Sequence, residues 1–269
     1  MQKTIFVTGA TDGIGLETAR ILVSHGHNVA VHGRNPAKLE EVKQELLALG
    51  NNGSIESYLA DLSAMKNVKA LAKAVAEKHG KLDVLINNAG VYRASNRITQ
   101  DGLDIRFAVN TIAPYLLTQR LLSVLGSSGR VINVSSAAQF PVDPEALAGQ
   151  GDLSDGAAYA QSKLALIMWS RDMALELGNE GPAIIAVNPR SMLGSKMVKQ
   201  AYGVVGSDLR IGADILFRAA LSDEFAAASG RYFDNDTGQF GSPHSDALNP
   251  RKCKDIVHMI ETILDKSTR

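Results

Sequence analysis

Short β-branched and leucine-rich runs alternate with helical periodicity along most of the chain. Thr4–Thr8, Asn28–His32, Ile55–Leu59, Leu82–Asn87, Arg130–Val134 and Ala183–Asn188 read as strands. Few polar residues interrupt them, as expected of parallel strands covered on both faces. Between them, Leu39, Val42, Leu46 and Leu49 recur at spacings of three and four, with Lys and Glu opposite, so Pro36–Leu49 is expected to be an amphipathic helix. Pro36 suits its start and Gly50 its end. Met65–His79 carries the same stripe in Val68, Leu71, Ala72 and Val75, closed by Gly80. Strand, helix and strand in strict order imply right-handed crossovers and a doubly wound parallel α/β sheet with helices on both faces. Ligands of such sheets bind at the carboxyl ends of the strands.

Composition narrows the function classes. The 269 residues hold 28 Lys+Arg and 28 Asp+Glu, so the net charge that draws a chain to nucleic acid or anionic lipid is missing. A hydrophobic fraction of 45% does not fit disorder. No run approaches the roughly 18 apolar residues of a membrane span. Neither nucleic acid nor a membrane is therefore an expected partner. Cys253 is alone and cannot close an internal disulfide, which points to a reducing, cytoplasmic location. After Met1-Gln2-Lys3 the run Thr4–Thr8 is too short, and too soon interrupted by Gly9, to be a signal peptide. No linker or repeat divides the chain, so residues 1–269 are expected to form one domain. His25 and His27 have no partners at ligand spacing, and no metal is expected.

The first strand runs into Thr8-Gly9-Ala10-Thr11-Asp12-Gly13-Ile14-Gly15 and then a helix. Gly9 allows a sharp turn off the strand, Gly13 lets backbone approach a diphosphate, and Gly15 lets helix pack on sheet. Freed N–H groups at the helix start would face the anion. Where NAD-preferring folds place an acid after the second strand, this chain has His32-Gly33-Arg34-Asn35. The fork of Arg34 suits a 2′-phosphate, which favours NADP while leaving NAD open. Asp12 argues mildly the other way, since its charge would lie beside the phosphates.

Four further segments complete the pattern: Asn87-Asn88-Ala89-Gly90, Asn110, Ser135-Ser136, and Tyr159-Ala160-Gln161-Ser162-Lys163. With the glycine turn they resemble the short-chain dehydrogenase/reductase family, in its one-domain Rossmann form, over almost the whole chain. Tyr159 and Lys163 are four apart and would share a helix face. A nearby ammonium favours the phenolate, so the tyrosine could exchange a proton with a carbonyl or alcohol oxygen.

The resemblance implies an oxidoreductase that moves hydride between NADP and a small carbonyl or alcohol, with Tyr159 as general acid/base. It implies that Ser136 bonds the reacting oxygen and that Asn110 holds a water linking Lys163 to solvent. Asn110 could instead be a helix-interior asparagine bonded to backbone. It implies that Gly9, Thr11, Asp12, Gly13, Ile14, Gly15, Arg34, Asp61, Leu62, Asn88, Ala89, Gly90, Tyr159, Lys163 and Pro189 meet the cofactor. Asp61 is also a candidate helix cap before Ser63. Family members are often oligomers, so a homo-oligomer is possible.

Departures are as informative. Pro189 is followed by Arg190 where the family has glycine, and Gly194 stands where it often has threonine. The long Ala137–Ala158 segment resembles retinol-dehydrogenase-like members. Residues 190–207 mix Met192, Leu193, Met197, Val198, Tyr202, Val204 and Val205 with lysines, which suits either a lid over a partly hydrophobic substrate or plain helix packing. A non-catalytic dinucleotide-binding redox sensor would need the glycine turn but not Asn110, Ser136, Tyr159 and Lys163 together.

Overall fold

In the computed structural model, which describes residues 1–50 and 52–266, strands and helices alternate from the first residues. β1 (Thr4–Val7), α1 (Gly13–Ser24), β2 (Asn28–Gly33), α2 (Pro36–Ala48), β3 (Ile55–Leu59), α3 (Met65–His79) and β4 (Val84–Asn87) form the first half. Then α4 (Ile105–Phe107) passes through a π-helical turn, Ala108–Ile112, into α5 (Ala113–Leu125). β5 (Arg130–Val134), α6 (Pro144–Leu147), α7 (Asp155–Leu177), β6 (Ala183–Asn188), α8 (Lys196–Tyr202) and α9 (Leu209–Leu221) follow. β7 (Tyr232–Asp234), β8 (Gln239–Gly241) and α10 (Pro250–Lys266) end the described chain.

These strands make one sheet in the order β3-β2-β1-β4-β5-β6-β7-β8. All neighbours are parallel except β7 and β8. β1 pairs with β2 on one side and β4 on the other, so the winding reverses there and opens a crevice at the carboxyl ends. Alternation along β1 divides the core: Ile5 and Val7 pack with Leu22, Val42 and Leu216, while Phe6 faces Met65, Phe107 and Trp169. α1 and α9 therefore cover one face, and α3, α5 and α7 the other. Residues 137–158 are folded against the second core, with Ala146 and Leu147 of α6 buried.

Where the structure departs from the expected elements, the causes are local. Leu82 donates its N–H to Val124 O at the end of α5 (2.8 Å), so β4 starts only at Val84. The parallel sheet gains an antiparallel edge hairpin, β7–β8, held by Phe225, Phe233 and Phe240 with ring centroids 5.0–5.2 Å apart. Asp61 is not the cap of α3. It accepts from Ser63 N in the turn before that helix (2.9 Å), and Asp101 Oδ2 takes Met65 N at the helix start (2.8 Å).

Candidate active site

A cleft of about 650 Å3 runs along the carboxyl ends of the strands, within the ~300–1,000 Å3 typical of small-molecule and cofactor sites. Its floor near β1 is the glycine turn. Gly9 has φ 65°, and a Cβ there would sit 2.8 Å from Ala89 Cα, so only glycine allows the two turns to touch. Asn88 locks them by donating to Thr8 O (2.9 Å) and Gly9 O (3.0 Å). Gly13, at φ 56°, faces open space at the start of α1, which leaves a cradle a diphosphate can enter. Gly15 does not line the cleft. It lies behind the turn, where a Cβ would collide with Asn88 and Gly9 O.

Thr11, Asp12, Ile14, Arg34, Asp61, Leu62, Asn88, Ala89, Gly90 and Pro189 all line the cleft, with Ser136, Tyr159 and Lys163 toward its other end. Arg34 makes no ion pair among the described residues. Lys38, in the first turn of α2, lines the same end of the cleft. The cradle and these cations fit a dinucleotide carrying an extra phosphate. Nothing in the sequence had singled out Lys38. Its position three residues into a helix whose N-cap is Asn35 is the signal that could have found it.

His32 was missed as well. Its ring is buried in β2, and Nδ1 accepts the Gly9 N–H (3.1 Å). Nε2 then carries the proton and donates it to Ala60 O (3.1 Å), beyond β3. One neutral imidazole thus ties the glycine turn to the Asp61 loop, and burial depresses its pKa to about 4.

At the far end, α7 sets Tyr159 and Lys163 one turn apart. The half-buried Tyr159 lies beside the Ser136 side chain, whose contact favours its phenolate. Lys163 Nζ lies 5.7 Å from the Tyr159 ring centroid and donates to Val134 O (2.7 Å). Burial is the largest influence on both groups. Burial pushes Tyr159 up to about 12, against the lowering contact from Ser136, and pulls Lys163 down to about 8. At neutral pH a group near pKa 8 is still mostly protonated, so Lys163 remains largely an ammonium beside the Tyr159 ring.

Asn110 sits in the π-helical turn, buried and outside the cleft lining. Its Oδ1 accepts Val91 N (2.8 Å), while Nδ2 donates to Val91 O (3.0 Å) and Ser162 Oγ (3.0 Å). The backbone-bonded alternative describes it: it fixes the Val91 loop beside Gly90, and Lys163 Nζ and Asn110 Oδ1 flank that glycine.

α7 is anchored by an ionic junction. Fully buried Arg106 pairs with Asp104 and Asp155, and Arg93 Nε donates to Asp155 as well (3.1 Å). A buried guanidinium left without its acids would be costly, so the loop before α4 and the first turn of α7 must stay together. Arg93 also donates to Gln200 O of α8 (3.0 Å). Beside it, the Tyr92 ring stands 5.2 Å from Tyr159 and 6.1 Å from Tyr202, making an aromatic wall.

In the segment after β6 one departure from the family pattern is strained and the other is required. Arg190 has φ 119° and Met192 φ 55°, the two non-glycine residues with positive φ among those described. Such conformations cost of order 1–3 kcal/mol each. At Gly194 a Cβ would meet Val205 O at 2.9 Å and Ser207 O at 3.0 Å, because the Leu193–Ser207 bridge closes the base of this segment. Threonine cannot stand there in this loop. Met192, Met197, Val198, Ala201 and Tyr202 line the cleft above Tyr159.

Comparison with known proteins agrees with the geometry. The family model described as short chain dehydrogenase matches residues 3–203, and the chain belongs to the short-chain dehydrogenase/reductase family. It is an NAD(P)-dependent dehydrogenase of that family. Human retinol dehydrogenase 13 is 31% identical over 258 residues, covering 86% of this chain and 76% of that one. A solved protein of Mycobacterium paratuberculosis superposes with a TM-score of 0.81 at 25% identity, covering 97% of this chain and 93% of that one. A metagenomic short-chain oxidoreductase solved in complex with NADP is 31% identical, with a TM-score of 0.61 over 81% of this chain and 90% of that one.

Proposed function

We propose that the chain is an NADP-preferring carbonyl reductase or alcohol dehydrogenase acting on a substrate with an apolar body. The observation that carries this reading is the meeting, in one cleft, of Ser136, Tyr159 and Lys163 with a glycine cradle flanked by Arg34 and Lys38. The bound nicotinamide would supply hydride to the substrate carbon, or accept it in the reverse direction.

The protein's part is binding, orientation and a proton. Gly13 and the start of α1 receive the diphosphate, and Arg34 with Lys38 receives the 2′-phosphate. Ser136 Oγ holds the substrate oxygen against Tyr159. In reduction the Tyr159 hydroxyl gives its proton to that oxygen, and in oxidation the phenolate takes it back. A phenol held near pKa 12 is fully protonated at neutral pH, so the site stands ready as a donor. Tyr92, Tyr202 and the methionines of the 190–207 lid exclude water and contact the apolar body. NADP in NADP-bound neighbours of the same fold supports the cofactor assignment. Among the described residues no helix is long and apolar enough to cross a membrane, and buried, unpaired Cys253 suits the cytoplasm.

The test is turnover of a panel of apolar ketones and aldehydes with NADPH and NADH, and of the matching alcohols with the oxidised cofactors. NADPH oxidation on some member, abolished in Tyr159→Phe, is expected. Cofactor binding with no turnover on any member would leave the redox-sensor reading instead.

A further inference from the structure

We propose that Asp236, in the turn joining β7 and β8, is a positioning residue that holds the Asn188–Met192 backbone in shape for the nicotinamide end of the cleft. The proposal rests on the dinucleotide reading above.

Asn188, Pro189, Arg190, Ser191 and Met192 line the cleft, whereas Asp236 does not. Its Oδ1 accepts the Ser191 N–H (2.9 Å), and its Oδ2 accepts both the Ser191 hydroxyl (2.5 Å) and Asn188 Nδ2 (2.9 Å). The neighbouring Asn235 Nδ2 donates to Pro189 O (3.0 Å). Asn188 Nδ2 also reaches Asp234 (2.8 Å), so the hairpin turn grips Asn188, Pro189 and Ser191, on both sides of Arg190. Arg190 needs that grip because it sits at φ 119°, where a side chain is disfavoured and glycine is not. A glycine would take this conformation unaided. In this chain, bonds on both sides of residue 190, made from the edge hairpin, do the work that glycine would do.

That dependence makes a sharp experiment. Parent, Asp236→Ala, Arg190→Gly and the double variant are compared by NADPH titration, by kcat and KM, and by hydrogen exchange of residues 189–193 in cofactor-free protein. Asp236→Ala is expected to speed exchange across 190–192 and to weaken NADPH binding about tenfold, with a small change in Tm. In the Arg190→Gly background the same change should alter binding less than twofold, because the strained residue is gone. Equal losses in both backgrounds would make Asp236 an ordinary structural contact and overturn the proposal, as would unchanged exchange in Asp236→Ala. Should no variant and no parent bind NADPH, the dinucleotide reading fails, and with it the cofactor half of this proposal. The exchange cycle would then still decide the clamp. If Asp236→Ala fails to fold, Asp236→Asn keeps the acceptor for Ser191 N–H and removes the charge, and an intermediate loss rescued by Arg190→Gly is expected.

Discussion

Lys196, in the first turn of α8, forms an ion pair with Asp12 of the glycine turn, 184 residues away in sequence. Asp12 also accepts the Gly13 N–H at 2.9 Å and so caps α1. Burial pushes the Asp12 carboxyl up, but Lys196 and the Gly13 N–H outweigh it and hold the group below the usual carboxylate range. The pair is solvent-exposed and contributes little to global stability. Its consequence is local: in the proposed site, Lys196 of α8 places a cation beside the acid that would otherwise repel a diphosphate. Lys196→Ala is therefore expected to weaken NADPH binding several-fold at low salt, with the difference shrinking as salt rises. Adding Asp12→Asn, which keeps the capping oxygen and removes the charge, should restore most of the affinity. Calorimetric titration of the three proteins checks this, and a double variant no better than Lys196→Ala would remove the electrostatic account.

Tyr159→Phe should lower kcat by about 10²–10⁴-fold, the usual contribution of a general acid, while leaving NADPH affinity nearly intact. The ring would keep its packing against Tyr92, and only the hydroxyl would go. Steady-state rates beside a fluorescence titration separate the two effects. A variant that keeps parental kcat would show that another group moves the proton.

Much of this architecture was legible from hydrophobic period and punctuation. β3, β5, β6 and α3 run between the residues their patterns mark. Gly80 ends α3 at φ 59°, as its position suggests. The hairpin β7–β8 was not legible, because three-residue strands carry no measurable period and are held by Phe225, Phe233 and Phe240 from three separate segments. In the site, Tyr159 and Lys163 could be paired because four residues make a helical turn. His32 could not, since its partners Gly9 and Ala60 come from loops beyond neighbouring strands. Arg190 was visible as an anomaly from sequence alone, but only φ could decide that it is strained and only the fold could bring Asp236 to it.

In the proposed reading, cofactor choice depends on Arg34 and Lys38, the cations beyond β2 that line the cleft. Arg34→Ala should lower NADPH affinity by roughly tenfold to a hundredfold, the range for a hydrogen bond to a charged group, and leave NADH affinity little changed. Lys38→Ala should act in the same direction and less strongly, because part of its field falls on Asp12. Titrating both cofactors against each variant measures the ratio directly. Parallel losses for NADPH and NADH would place these residues away from the 2′-phosphate.

His32 makes the fold sensitive to mild acid. Its Nδ1 lone pair holds the Gly9 N–H, so protonation there replaces an acceptor with a donor facing a donor. Burial lowers its folded pKa to about 4, whereas in the unfolded chain it titrates near ~6.5. Between these values the unfolded chain binds the proton and the folded chain does not, so stability rises with pH across that window. His32 thus leaves folding unpenalised above about pH 6.5, and acidification to pH 4 should remove up to ~3 kcal/mol on its account. Denaturant unfolding of the parent at intervals from pH 7.5 to 4.5 should show this slope, on top of any shared carboxylate contribution. His32→Asn keeps an acceptor near Nδ1, loses the donor to Ala60 and cannot titrate. Its stability should be lower at pH 7.5 and fall less steeply on acidification, with NADPH binding partly retained. An identical pH slope in parent and variant would show that His32 is not the titrating group.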